Sequence, residues 1–179
     1  MLEFKEFPKM ARLSREAIIT EKIDGTNAQV TITEDGQMFF GSRTRWLSEE
    51  ADNFGFWKWG NENREELKKL GPGTHFGEWW GCGIQRGYGL KEKRFSLFNP
   101  RWMDDALRPR CAYVVPILCR GIFSTSAVDS TLEILAINGS YAAPGFMKPE
   151  GVVVYHKESG VGFKKTIEKD EVPKGAPRV

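Results

Sequence analysis

Residues 21 to 27, Glu21-Lys22-Ile23-Asp24-Gly25-Thr26-Asn27, constrain this chain more than any other stretch. They form a polar knot between two β-prone runs. Ala17-Ile18-Ile19-Thr20 precedes the knot, and Ala28-Gln29-Val30-Thr31-Ile32-Thr33 follows it with apolar and polar residues alternating, the period of a half-buried strand. The knot therefore joins two strands. Asp24-Gly25 is a common tight-turn pair, so the plainest reading is a hairpin with a lysine at its surface. The polar outliers elsewhere in the chain weigh against that reading.

Taken in order, Phe4, Phe7, Pro8 and Leu13 mix with charges over residues 1–16 and suggest an edge strand or loop leading into the core. Glu34-Asp35-Gly36 reads as a hairpin turn and Gln37 to Ser42 as the returning strand. Arg43 and Arg45 follow beside Ser42 and Thr44, a set that suits an anion and equally suits a solvated loop. Phe54 to Trp59 reads as core or the apolar face of a short helix. Asn61 or Asn63 caps an expected helix over Glu65 to Leu70, with acids early, lysines late and Gly71 past the end.

Thr74 to Gly81 reads as a strand whose Glu78 is an acid set among aromatic residues and glycines. The glycine-rich stretch Gly81 to Gly87 matches neither G-x-G-x-x-G nor a Walker A loop, so it carries no dinucleotide or P-loop role. Arg94 to Asn99 and Cys111 to Leu118 read as further strands. Ser126 or Asp129 starts a helix with Leu132, Leu135 and Ala136 inward and Gly139 as its stop. Lys148-Pro149-Glu150-Gly151 opens the β-prone run Val152 to Tyr155, and Val161 to Thr166 carries Lys164 and Lys165 at the end of a last strand. No internal repeat is present.

Bulk properties bound the rest. A chain of 179 residues holds one substantial core, and 40% apolar with 28% charged residues is ordinary for a soluble globular protein. No apolar run approaches a membrane span, so no membrane partner is expected. The start, Met1 to Glu6, lacks the basic and apolar regions of a signal peptide. Cys82, Cys111 and Cys119 form no CxxC pair and are odd in number, which points to a reducing, cytoplasmic setting. His75 and His156 sit in no zinc-ligand spacing. A net charge of +2 leaves nucleic-acid binding to a local basic face.

The charged strand ends share an order: Lys22 and Asp24, Arg43, Glu78, Glu150, then Lys164 and Lys165. That order resembles the covalent nucleotidyltransferase superfamily of polynucleotide ligases and capping enzymes. The string Glu21 to Asn27 is similar to the E-K-x-D/H-G-S/T-N signature of RNA ligases of the phage RNA ligase 2 type, and the likeness runs from about Ile18 to Thr166. A lone K-x-D-G is a weak signal, but joined to Glu150-Gly151-Val152-Val153-Val154 and a terminal lysine pair it is a strong one.

The resemblance implies an α+β, ATP-grasp-like ligase fold, with antiparallel β-sheets flanked by helices. It implies Lys22 as the nucleophile that becomes lysyl-AMP, with Glu21, Asp24 and Asn27 holding the nucleotide pocket. Arg43 is then expected at phosphate or sugar, Glu78 at the ribose, Phe98 stacked on adenine, and Glu150 acting through hydrated magnesium. Lys164 and Lys165 would grip the triphosphate, although the family pattern is K-x-K and the adjacent lysines here leave open which one meets the α-phosphate. ATP with Mg2+, or Mn2+ in its place, follows as the cofactor set.

The residue types suit that chemistry. Freeing a lysine amine at neutral pH costs roughly 4 to 5 kcal/mol, and neighbouring cations lower that cost by disfavouring ammonium. The same cations stabilise charge on phosphate and on departing pyrophosphate.

Residues 1–167 are expected to form the nucleotidyltransferase domain and 168–179 a charged, loosely ordered tail, with no C-terminal OB-fold or helical module. The implied substrates are RNA 5′-phosphate and 3′-hydroxyl ends, with a DNA-nick ligase or an adenylyltransferase without sealing as alternatives. A silent nucleic-acid-binding module is the alternative from another class. A partner protein is a candidate source of a second module. Arg86, Lys91, Lys93 and Arg94, interleaved with Tyr88 and Phe95, are the expected nucleic-acid surface, against a solvated loop.

Overall fold

Ala28, Val30 and Ile32 are buried while Asn27, Gln29 and Thr31 face the other way, and the fold is built on sheets with one such open face. The computed structural model describes residues 2–104, 106–168 and 170. One sheet has four strands: β1 (Glu16–Lys22), β7 (Ile117–Ile122), β8 (Gly151–His156) and β9 (Val161–Thr166), in the order β7-β1-β8-β9. The other has five: β2 (Thr26–Ile32), β3 (Met38–Ser42), β4 (Gly73–Gly81), β5 (Lys93–Leu97) and β6 (Ala112–Val114), in the order β3-β2-β4-β5-β6.

The Lys22 knot is not a hairpin. β1 and β2 belong to different sheets, and residues 23–25 cross between them. Nor is 111–118 a single strand: Val115 and Pro116 make a second crossing, from β6 to β7. Proline has no N–H for a ladder, so the run breaks there, and the Pro116 carbonyl accepts from the Glu21 N–H at 2.9 Å. The two crossings thus lie side by side. All pairings are antiparallel except β5 with β6, which run parallel. The long return through Asn99 and a short 3-10 helix at Pro100–Met103 re-enters the sheet in the β5 direction.

The five-stranded sheet is covered on its buried face by α1 (Phe56–Glu62), α2 (Arg64–Leu67) and a 3-10 turn at Lys68–Leu70. Phe56, Trp59, Trp79 and Phe95 meet there with ring centroids between 5.1 and 5.6 Å apart. The expected helix over 65–70 is therefore broken, and the longer α1 begins in the aromatic stretch, its N–H groups at Trp57 and Lys58 received by the Asp52 carboxylate.

On the four-stranded sheet, α3 (Thr125–Asn138) packs Val128, Thr131 and Leu135 onto Ala17, Ile19, Val152 and Val154. Its cap is Ser124, whose hydroxyl accepts from the Ala127 N–H at 3.2 Å, two residues before the earliest expected start. Ala136 is exposed rather than inward, because the helix period puts Thr131 and Leu135 on the buried stripe. Gly139 ends the helix as expected, at φ 80°.

Residues 2–15 form no strand or helix. Of the tail expected over 168–179, only Glu168 and Asp170 fall within the described residues. Among the described residues no helix is long and apolar enough to cross a membrane.

Candidate active site

The open faces of the two sheets enclose a cleft of about 760 Å³, lined by Thr20, Lys22, Asn27, Phe76, Glu78, Phe98, Val153 and Tyr155 among others. Lys22 is the last residue of β1 and lies opposite Gly151 in β8. Its Nζ donates to Glu150 Oε2 at 2.5 Å, and Glu150 is nearly buried. Gly151 has no room for a side chain: a Cβ there would strike the Lys165 carbonyl of β9. The lysine and the acid thus meet where two strands converge.

Glu78, on β4, closes the other side. One carboxylate oxygen accepts from the Gly25 N–H at 3.1 Å, the other from the Asn27 amide at 3.2 Å. The loop can press this close because Gly25 lacks a Cβ, which would fall 2.5 Å from the Trp79 carbonyl and 2.7 Å from Trp80 Cβ. Burial pushes the Glu78 carboxyl up to about 7, against the opposing pull of Lys22 and the Gly25 N–H, with Glu150 and Asp24 adding to the rise.

Glu21 also borders the cleft, but neighbours along a strand point to opposite faces, and its carboxylate turns away from the side that carries Lys22. Its carboxylate is buried and accepts from the Ser140 hydroxyl at 2.5 Å and from the N–H groups of Tyr141 and Ala142 at 2.8 and 2.9 Å. Burial raises its carboxyl, and these three hydrogen bonds work in the other direction. The acid braces the loop after α3.

The same alternation separates the two lysines of β9. Lys164 pairs with Val153, which lines the cleft, so Lys164 stands on the cleft side of β9 without itself being among the lining residues, and Lys165 pairs with Val152, which lies in the core under α3. Lys165 is bound to Asp129 of α3, which raises its ammonium's affinity for the proton. Phe98 lines the cleft at 39% exposed, and its N–H donates to the Phe76 carbonyl at 3.0 Å. Arg43 is exposed just past the end of β3 and is not among the residues lining the cleft.

A sequence model of the RNA ligase family matches residues 15–169. The chain belongs to the RNA ligase family. Solved structures of Naegleria gruberi RNA ligase share the fold. An apo mutant is 25% identical with a TM-score of 0.63, covering 86% of this chain and 50% of that one. A mutant with ATP and Mn is 22% identical with a TM-score of 0.66, covering 87% and 51%, and one with AMP and Mn is 24% identical with a TM-score of 0.64, covering 86% and 50%. This RNA-ligase-family chain therefore spans about half the length of the solved relatives it matches. No curated protein matches it by sequence.

Asp24 is held from outside the cleft. Its backbone N–H donates to the Tyr88 hydroxyl at 2.8 Å, and its carboxylate pairs with Arg86 Nε at 3.0 Å. The same guanidinium donates through Nη1 to the Lys148 carbonyl at 3.0 Å. Tyr88 is buried against Trp80 and Phe146, with ring centroids 5.0 and 4.6 Å away. The glycine-rich stretch left without a role by its motif is thus a strap between the Lys22 loop and the segment entering Glu150.

The four cations expected as one nucleic-acid surface do not gather into an open patch. Arg86 is in the strap, and Lys93 donates to the Phe54 carbonyl at 2.8 Å. Arg94 binds Glu92 and lies over the rings of Tyr113 and Trp80, at 5.0 and 5.9 Å, while Lys91 is exposed.

Sequence reasoning also passed over Phe76, 57% exposed in the cleft wall and two residues before Glu78 on the same strand face. Period-two spacing from Glu78 was the available signal.

Among the described residues no cluster of three or more His, Cys, Asp or Glu side chains could cage a metal ion. Glu150 and Glu78, close enough for Glu150 to raise the Glu78 carboxyl, are the acids that could hold a hydrated divalent cation taking its other ligands from water and phosphate.

Proposed function

We propose that this chain carries out the nucleotide-transfer chemistry of an ATP-dependent RNA ligase, with Lys22 as the nucleophile. The observation that supports this most is the seat of Lys22: a lysine amine at the floor of a cleft between two sheets, held by a buried glutamate in a chain of the RNA ligase family. Solved relatives with ATP and Mn add weight.

In this reading the neutral Lys22 amine attacks the α-phosphorus of ATP. A P–N bond forms, the bond to the β-phosphate oxygen breaks, pyrophosphate leaves and the amine gives up its proton. Glu150 Oε2, 2.5 Å from Nζ, is in reach of that proton. Lys164 approaches the phosphates from β9, stabilising the charge that grows on the leaving group, while Arg43, outside the cleft lining, reaches phosphate or sugar only from beyond the end of β3. Phe98 and Phe76 offer flat apolar faces to adenine. Asn27 and Glu78 meet the ribose side, and Glu21 and Asp24 keep the loop in shape through Ser140 and Arg86. A divalent cation held by Glu150 through its water shell would neutralise phosphate charge when bound.

AMP then passes to an RNA 5′-phosphate, and a 3′-hydroxyl displaces it to close the strand. The test is a gel assay with ATP, a divalent cation and 5′-phosphorylated RNA. Adenylylated RNA followed by a joined or circular product is expected. Protein that forms lysyl-AMP but leaves every RNA end unchanged, while acting on nicked DNA, would overturn the RNA assignment.

A further inference from the structure

We propose that the cleft continues past the adenine position into an apolar end compartment, so that the chain accepts as nucleotide donors ATP analogues with an apolar group on the N6 amine. The direction in which the nucleotide lies rests on the ligase reading above. The compartment itself rests on strand register and on where its polar groups are turned.

The lining of the cleft is tiered. Lys22 of β1 and Glu78 of β4 form the innermost tier, near enough for Lys22 to act on the Glu78 carboxyl. Two residues along each strand come Thr20, opposite Val153 of β8, and Phe76, whose carbonyl accepts from the Phe98 N–H. Two residues further come Ile18, opposite Tyr155, and Thr74. Tiers two residues apart are separated by about 7 Å, which puts this end tier about 13 Å from Lys22.

With the α-phosphate at Lys22 and the base against Phe98 and Phe76, the purine occupies the middle tier. Its edge bearing N6 is the one farthest from the glycosidic bond. That edge faces the end tier.

The end tier is open. Tyr155 leans away from Lys22, its hydroxyl 4.0 Å from the place a Cβ on Gly160 would take in the turn after β8. The partner of Tyr155 on β9 is Gly162, which has no side chain to fill the space. The polar groups at this end are engaged elsewhere. The Thr74 hydroxyl meets the Thr31 hydroxyl at 3.0 Å, His75 Nε2 the Gly71 carbonyl at 2.9 Å, and Lys157 Nζ the Glu16 carboxylate at 2.8 Å. What remains to meet a ligand is chiefly carbon, from Ile18, Pro100 and the Tyr155 ring. Such a lining gains from covering an apolar substituent.

The step is unchanged from that with ATP: a P–N bond forms at Lys22, the bond to the β-phosphate oxygen breaks, and pyrophosphate and the amine proton leave. The probes are N6-benzyl-ATP and N6-benzyl-AMP beside ATP and AMP. They are given to wild type, to Thr74→Phe, which sets a ring in the end tier from an exposed position, and to Thr74→Val, which keeps the size. Attachment is followed by intact mass over time, and binding of the monophosphates by calorimetry.

Wild type and Thr74→Val are expected to attach and bind the benzyl compounds about as well as the plain ones. Thr74→Phe is expected to lose about tenfold on the benzyl compounds alone. A wild type that takes AMP but rejects its benzyl form, or a Thr74→Phe that treats both alike, would overturn the proposal. If wild type binds both monophosphates and Thr74→Phe discriminates, yet neither triphosphate leaves an adduct, the ligase reading fails and the compartment stands. A wild type that binds neither overturns both.

Discussion

Lys164 and Lys165 are adjacent in sequence and stand on opposite faces of β9: Lys164 opposes Val153 in the cleft wall, and Lys165 is bound to Asp129 of α3. A family pattern of K-x-K would put two lysines on one face, whereas the adjacent pair puts only Lys164 on the cleft side of β9.

Lys164→Ala is expected to slow lysyl-AMP formation by about a hundredfold, as loss of a charge aimed at a transferring phosphate does. Lys165→Ala, which removes an exposed ion pair, leaves the rate near wild type. Quenched-flow measurement of AMP attachment in the two variants checks this, and equal losses would contradict the assignment of faces.

Arg86→Ala releases Asp24 and the Lys148 carbonyl together, so Lys22 and Glu150 lose their fixed separation. AMP attachment is expected to fall by about tenfold or more, with Arg86→Lys recovering part of it through the Asp24 contact. RNA affinity, measured separately, stays unchanged. A loss confined to RNA affinity would return Arg86 to the nucleic-acid surface.

Why the sequence placed Arg86 on a surface is clear from its partners: Asp24 lies 62 residues away and no local pattern links them. The open face of β2, Glu78 on β4, and the pairing of Glu150-Gly151 with a strand were all legible, because period-two alternation and a glycine next to an acid are local signals. The crossings at residues 23–25 and at Val115-Pro116 were not. Asp24-Gly25 looks the same in a hairpin and in a passage between sheets, and the partner strand decides which it is. The split of Lys164 from Lys165 follows from register, which a strand acquires only from its neighbour.

Glu21 braces a loop, so Glu21→Ala is expected to act on stability. Removing it strands the N–H groups of Tyr141 and Ala142 and the Ser140 hydroxyl, a loss of about 1 to 3 kcal/mol. Urea unfolding measures it. A variant of unchanged stability with a raised KM for ATP would show direct nucleotide contact instead.

Glu78 has a folded-state carboxyl pushed up from 4.5 to about 7 by burial. The native state therefore binds its proton more tightly than the unfolded chain, so this contribution is complete below about pH 4.5 and is lost as pH rises through about 7. The loss is on the order of 3 kcal/mol, and Glu78→Gln is expected to flatten the pH dependence of unfolding over that window. A slope identical in the variant would mean that another group carries it.

The most direct measurement is the intact mass of the protein, freed of bound nucleotide and then incubated with ATP and a divalent cation, for wild type and Lys22→Ala. The account predicts an added AMP on wild type, lost at acid pH as a phosphoramidate is, and none on Lys22→Ala with its unfolding transition retained. AMP on the variant, or none on the wild type, would contradict it.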